Sequence, residues 1–194
     1  MIDIMVDLET LSVRPHSLIL VIGAIKFKRN KKYEDSVEKV LDKVNQTTLD
    51  KLDTFYRRIT IKSGIDVGLH IDKDTEKWWG EQDEDVKYEA LLNPDRVSLQ
   101  EALEDFTKWF GKNPRTCIWG NGSDFDISIL GESFKRCNME IPWKYFLVRD
   151  LRTIFDLGNV RMTDLPQYKK HHALYDCYRQ IIGFSRAYQN LIKN

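Results

Sequence analysis

Ile2-Asp3-Ile4-Met5-Val6-Asp7-Leu8-Glu9-Thr10 carries apolar residues at positions 2, 4, 6 and 8, with Met5 between them. That pattern predicts a largely buried strand. Side chains two apart on a strand share a face, so Asp7 and Glu9 project side by side from its far end. Adjacent carboxylates repel, and neither ionises readily beside the other unless a cation holds them. Hard divalent ions such as Mg²⁺ or Mn²⁺ favour such an all-oxygen site. By itself the stretch is equally compatible with an acidic turn in solvent, so the rest of the chain has to decide.

Ser17 to Phe27 (SLILVIGAIKF) is the strongest strand pattern, with Gly23 marking a bulge or a close neighbour. The short link to the first strand implies antiparallel pairing. A charged excursion occupies about 28–53. It opens with the basic run Lys28 to Lys32, read as a solvated hairpin tip, and continues with Val37, Val40, Leu41 and Val44 at helical spacing. Phe55 to Ile61 predicts a third antiparallel strand, and Gly64 to Asp72 reads as irregular. Asp74 is a candidate N-cap for a helix carrying Trp78, Trp79 and Gln82. Helices are predicted over 84–92, over 99–110 behind Ser98, and from Asp150 through Phe155. Thr116 to Trp119 predicts a short buried strand. It runs through Gly120-Asn121-Gly122 into a helix with Ile127, Leu130, Phe134 and Cys137 on its apolar side. Tyr145 to Val148 reads as one more strand, and the last helix runs from about Ala173 to Leu191. Three antiparallel strands followed by strand–helix alternation describe a single α/β domain over 1–194: a mixed sheet with helices on its faces.

At 194 residues, with 30 basic and 30 acidic side chains, the chain carries no global charge signature for nucleic acid. Any basic groove must be local. Cys117, Cys137 and Cys177 are odd in number and lack metal-ligand spacing, which suits a reducing cytoplasm. No basic-then-apolar leader precedes the first strand, and no apolar run approaches a membrane span. The expected setting is cytoplasmic, with no membrane partner.

Acidic residues recur at strand ends. Asp7 and Glu9 end the first strand, Asp124 and Asp126 follow the strand at 116–119, and Asp176 lies early in the last helix. Ligand sites in α/β sheets gather at such ends. Carboxylates converging there from separate segments suit a pair of divalent ions acting on a phosphodiester, about 3.5–4 Å apart. His171 and Asp176 are separated by roughly 500° of ideal helix, so they fit one site only if His171 sits on the loop before the helix. A histidine there can take a proton near neutral pH, although His171-His172 beside Lys169-Lys170 also reads as a surface pair.

Together these features resemble the DEDDh 3′–5′ exonucleases of the ribonuclease H-like superfamily. Asp7-Leu8-Glu9-Thr10 looks like the first motif of that family, Asn121 to Leu130 (NGSDFDISIL) like its second, and His171-His172-Ala173-Leu174-Tyr175-Asp176 like its third. More narrowly, the chain is similar to a phage and bacterial subgroup that includes phage exonuclease A and mycobacterial-type exoribonucleases. The marks of that subgroup here are Trp78-Trp79 with Gln82, the Gly-Asn-Gly turn, and the run Arg149-Asp150-Leu151-Arg152-Thr153. The charged excursion departs from the pattern.

The resemblance implies a ribonuclease H-like fold and release of 5′-nucleotides from the 3′ ends of single-stranded DNA or RNA, with two Mg²⁺ or Mn²⁺. It further implies Asp7, Glu9, Asp126 and Asp176 as metal ligands, His171 as general base, and Thr10, Trp78, Trp79, Gln82 and Asn121 as substrate-binding residues. Asp124 does not match the Phe-Asp position and reads as a helix N-terminal residue. His172 and Cys177 read as structural. Trp78 and Trp79 are adjacent and face differently, so one is free to stack on a base while the other packs. Oligomeric state is left open, a homodimer included. Two rival readings remain. A haloacid-dehalogenase-like phosphatase needs Asp where Glu9 stands and Thr or Val in place of Leu11. A catalytically silent binding module on the same fold would show no metal dependence.

Overall fold

The computed structural model describes residues 2–33, 52–167 and 169–193. The helix expected around Val37 to Val44 lies outside them. Five strands form one sheet in the order β3-β2-β1-β4-β5: β1 Asp3–Thr10, β2 Ile19–Phe27, β3 Thr54–Arg58, β4 Ile118–Gly120 and β5 Val148–Asp150. β1, β2 and β3 run as an antiparallel meander, and β4 and β5 lie parallel to β1. The mixed sheet predicted from the pattern of strands and helices is therefore present.

The alternation along β1 divides the core. Ile4, Val6 and Leu8 face one layer, closed by α4 (Leu99–Phe110) and α5 (Asp126–Arg136). Met5 faces the other, closed by α6 (Leu151–Leu157) and α7 (Ala173–Lys193). Asp7 and Glu9 share the parity of Met5 and therefore point toward α7. Gly23 stands opposite Asp7 in the β1–β2 register. A Cβ at Gly23 would lie 2.5 Å from the Ala173 Cβ and 2.8 Å from the Ala173 carbonyl carbon. The glycine thus lets the first turn of α7 touch the sheet beside Asp7. The irregularity in this pair of strands is elsewhere, between Glu9 and Thr10.

Several local expectations are corrected. Chain 61–66, read partly as strand and partly as irregular, is helix α1 (Ile61–Asp66). Thr60 and Ser63 exchange hydrogen bonds at its start, and Gly64 packs against Leu18 instead of breaking the helix. The third strand is correspondingly shorter, Thr54–Arg58. Asp72, not Asp74, caps α2 (Lys73–Gly80), its carboxylate accepting from the Asp74 and Thr75 amides. Helix α3 (Glu84–Lys87) widens into a π-helical turn over Tyr88–Leu92. Tyr145–Leu147 is a 3-10 turn ahead of β5, with Tyr145 88% exposed, so its aromatic run does not mark a buried strand. The basic run is not wholly solvated either: Arg29 pairs with buried Asp3 and lies over the Trp119 ring. Asp3 also accepts from the Trp119 indole at 2.7 Å. Among the described residues no helix is long and apolar enough to cross a membrane.

Candidate active site

β4 stops at Gly120, just past its last pair with β1 at Met5–Trp119, while β1 runs on to Thr10, and acidic side chains gather along that extension. Asp7, Glu9 and Asp176 each present an oxygen within 4.8 Å of the others. Asp7 and Glu9 come from the end of β1, and Asp176 from the first turn of α7. Asp126, the first residue of α5, is 4% exposed and falls outside that mutually close set. Its Oδ1 accepts the Leu8 amide at 3.2 Å, which fixes its carboxylate at the end of β1, beyond the last β1–β4 pair. Gly120 leaves room for it, since a Cβ there would sit 3.3 Å from Oδ2.

The electrostatics are those of an anionic cage. Burial pushes Asp7 well above the ordinary carboxylate range, and Asp126, Asp176 and Glu9 push it further, although the residue keeps a partly open face. Burial and then the Asp176 and Asp126 charges raise Glu9 to about 8. Burial raises Asp126 to about 7 against its amide contacts and Arg152, and Asp176 to about 6 against Arg179. Glu9 is 7% exposed and its Oε1 has no hydrogen-bond partner. Repelling buried carboxylates with an unpartnered oxygen form a donor set that fits hard divalent cations.

Gln180 is a member of the site that the sequence reading missed. Its Nε2 donates to Asp7 Oδ1 at 2.7 Å, and it is buried. The signal was available: Gln180 lies four residues after Asp176 and so shares its helical face. Cys177 instead packs in the core, its thiol donating toward the Met5 and Gly23 carbonyls. Asp124 is exposed on the turn before α5, which begins at Asp126 with Phe125 as its N-cap position. Asp124→Ala is therefore expected to leave turnover within about twofold, and Asp126→Ala to cost about 10–100-fold or more. Rates measured on both variants check this; the reverse order would make Asp124 the ligand.

His171 stands on the loop just before α7 with φ 52°, a left-handed conformation uncommon outside glycine. Its ring is edge-on to Trp78 at 4.8 Å and to Trp79 at 6.3 Å. Burial and Lys170 lower its pKa, so the ring is neutral near pH 7. His172 points elsewhere. It stacks on Tyr56 at 5.0 Å, meets Tyr175 edge-on at 4.8 Å and approaches Glu89. Burial holds its pKa down to about 4.

A cleft of about 590 Å³ opens beside Glu9, lined by Thr10, Trp78, Trp79 and Phe125 among others. Trp79 is 2% exposed and its indole donates to the Thr10 carbonyl at 2.9 Å, whereas Trp78 is 40% exposed. Of the two indoles, Trp78 is thus the one with free surface. The Thr10 hydroxyl is engaged by the Ser12 carbonyl. Gln82 is not among the residues lining the cleft and donates to the Trp78 carbonyl at 2.9 Å. Asn121 is half-buried with its Oδ1 unpartnered.

A family model described as 3'-5' exoribonuclease Rv2179c-like domain matches residues 2–187. The chain belongs to that family. Its fold is also that of solved exonuclease I structures. A product-bound exonuclease I is 14% identical at a TM-score of 0.56, covering 99% of this chain and 46% of that one. E. coli exonuclease I in complex with a 5cy-dA13 oligonucleotide is 15% identical at a TM-score of 0.53, covering 93% and 39%. The chain therefore spans less than half the length of these structures. At this identity the likeness concerns the fold, which is the ribonuclease H-like fold of DEDDh-type 3′–5′ exonucleases. No curated protein matches the sequence.

Proposed function

We propose that the protein is a divalent-metal-dependent 3′–5′ exonuclease acting on single-stranded nucleic acid, RNA being favoured by the family's description. The observation that carries this reading is the convergence of Asp7, Glu9 and Asp176 within 4.8 Å, with Asp126 beside them. Asp7, Glu9 and Asp176 would hold one ion, with Asp7 shared by a second that Asp126 helps to place. When bound, such ions activate the attacking water and stabilise the charge of the transition state. Gln180 holds the Asp7 carboxylate in orientation from the α7 side. The cleft along Thr10 and Trp78 receives the terminal nucleoside, with the exposed Trp78 ring as a stacking surface worth about 1–3 kcal/mol. A neutral ring nitrogen of His171 takes the proton from the attacking water.

The test is digestion of end-labelled single-stranded RNA and DNA side by side with Mg²⁺ or Mn²⁺. The expected product is 5′-nucleotides released from the 3′ end. Activity in excess EDTA would remove the metal-ion account, and equal cutting of circular and linear strands would remove the exonuclease assignment.

The carboxylate cage also predicts a pH signature in the ion-free protein. Asp7, Glu9, Asp126 and Asp176 have folded pKa values above their ordinary ones, so the folded state retains protons that the unfolded chain has lost. Stability therefore falls as pH rises from the ordinary carboxylate range toward about 8. His172 acts oppositely: its contribution is lost as pH falls from 6.5 through about 4. The interval from 6.5 to 8 isolates the cage. There the ion-free Tm is expected to drop as pH rises. Added Mg²⁺ or Mn²⁺ should raise Tm more at pH 8 than at pH 6.5, because protons compete with the ion. At 100 times Kd the gain is about 2.7 kcal/mol, or about 5–10 °C. Thermal melts at the two pH values check this; an equal gain at both would speak against these carboxylates as ligands.

A further inference from the structure

Arg149-Asp150-Leu151-Arg152-Thr153 contains one residue that the fold leaves without structural employment. Arg149 donates to the Phe146 and Val148 carbonyls at 2.8 Å each, and Leu151 is buried. One Asp150 oxygen caps α6 through the Thr153 amide, and the other accepts the Ser123 amide at 2.7 Å. That single carboxylate ties the turn leading to Asp126 to the start of α6. Arg152 is consequently carried over the turn. A Cβ at Gly122 would lie 2.8 Å from the guanidinium carbon and 2.9 and 3.0 Å from its terminal nitrogens. Gly122 has φ +107°, and its missing side chain leaves the guanidinium its place. Arg152 is exposed, and among the described residues no carboxylate pairs with it.

The placement defines what this cation can reach. Arg152 bears on Asp126, whereas the main charges acting on Asp7, Glu9 and Asp176 do not include it. It is absent from the lining of the cleft that Phe125, at the other end of the same turn, helps to form. Its guanidinium thus stands over Gly122 on the Asp126 side of the carboxylates, outside that cleft. Resting on the exonuclease reading, we propose that Arg152 binds the first non-scissile phosphate, immediately 5′ of the bond being cut, and so registers the strand's 3′ end against the carboxylates. A guanidinium suits this task because its planar fork matches two phosphate oxygens, and among the described residues no carboxylate lies within ion-pair distance of this one.

The experiment uses a 5′-labelled single-stranded oligoribonucleotide and the same strand with a neutral methylphosphonate, on a 2′-deoxy nucleotide, at that one linkage. A third strand with only the 2′-deoxy change serves as its control. Binding is read by anisotropy in Ca²⁺ and turnover in Mg²⁺, for wild type, Arg152→Ala, Arg152→Gln and Arg152→Lys. Arg152→Ala is expected to weaken binding and raise KM about 10- to 100-fold, with kcat changing much less. Arg152→Lys should recover part of the loss. The slope of log affinity against log salt should shrink by about 0.7, the value for one single-strand phosphate contact. Wild type should lose a similar factor on the methylphosphonate strand, to which Arg152→Ala should be indifferent. An equal loss for Arg152→Ala on both strands, a fall in kcat alone, or no change would each overturn the assignment. If the alanine variant melts early, the glutamine variant is read in its place. A wild-type protein that neither binds nor cuts the unmodified strand overturns the exonuclease reading itself, and this inference with it.

Discussion

Asp7→Asn is expected to bring turnover to background while making the ion-free protein more stable at pH 8. Asp7 is the centre of the cage: its carboxylate feels Asp126, Asp176 and Glu9 together, and Gln180 anchors one oxygen. An amide of the same shape removes the repulsion but also removes the charge shared by both proposed ions. The loss should exceed the roughly 10²–10⁴-fold typical of a missing general base, because ion binding and water activation fail together. Stability moves the other way. In the wild type a group with a raised folded pKa lowers stability as pH climbs, and the asparagine has no proton to lose. Two measurements suffice: kcat with saturating Mg²⁺, and ion-free melts from pH 6.5 to 8. The variant's melting curve should be flatter with pH than wild type, and its Mg²⁺-induced gain should vanish. Turnover within about tenfold of wild type would show that Asp7 is not the shared ligand.

The same cage explains what could be read from the sequence and what could not. The period-2 pattern of β1 placed Asp7 and Glu9 on one face because alternation is a local property of a strand. The strand-turn-helix at 116–136 brought Asp126 to the strand end for the same kind of reason. The loop position of His171 followed from helix periodicity alone. Partners distant in sequence were not legible. Asp3 is buried against Arg29 and Trp119, the latter 116 residues away, and nothing near Asp3 announces either one. Glu89 collects the Tyr56 hydroxyl and the Arg58 guanidinium from β3 and His172 from the loop before α7. Two of the local corrections concern residues whose type does not report backbone conformation. Gly64 is instead a packing choice against Leu18, and Tyr145 is a surface residue on a 3-10 turn. Gln180 differs, since its helical register with Asp176 was in plain view.

His171→Ala is expected to lose about 10²–10⁴ in kcat, and His172→Ala to keep most of it, although the two residues are neighbours. The backbone separates them. With φ 52° at His171, its ring lies against Trp78 at the cleft, while His172 turns inward to Tyr56 and Glu89. His172 also precedes α7 directly: its carbonyl accepts the Tyr175 and Asp176 amides at 2.8 and 3.0 Å. Replacing its ring removes packing, so His172→Ala should lower Tm, by about 1–3 kcal/mol of stability, without abolishing turnover. The pH profiles distinguish a base from a packing residue. Burial and Lys170 hold the His171 pKa below 6.5, so wild-type kcat should be flat near neutrality and fall on acidification with a midpoint under that value. The His172→Ala profile should keep that acid limb, and His171→Ala should lose it together with the rate. The measurement is kcat against pH for the three proteins at saturating Mg²⁺, with melts alongside to separate folding from chemistry. A wild-type rate and acid limb in His171→Ala, with both lost in a folded His172→Ala, would move the base by one residue and leave the left-handed turn at His171 without a catalytic reason.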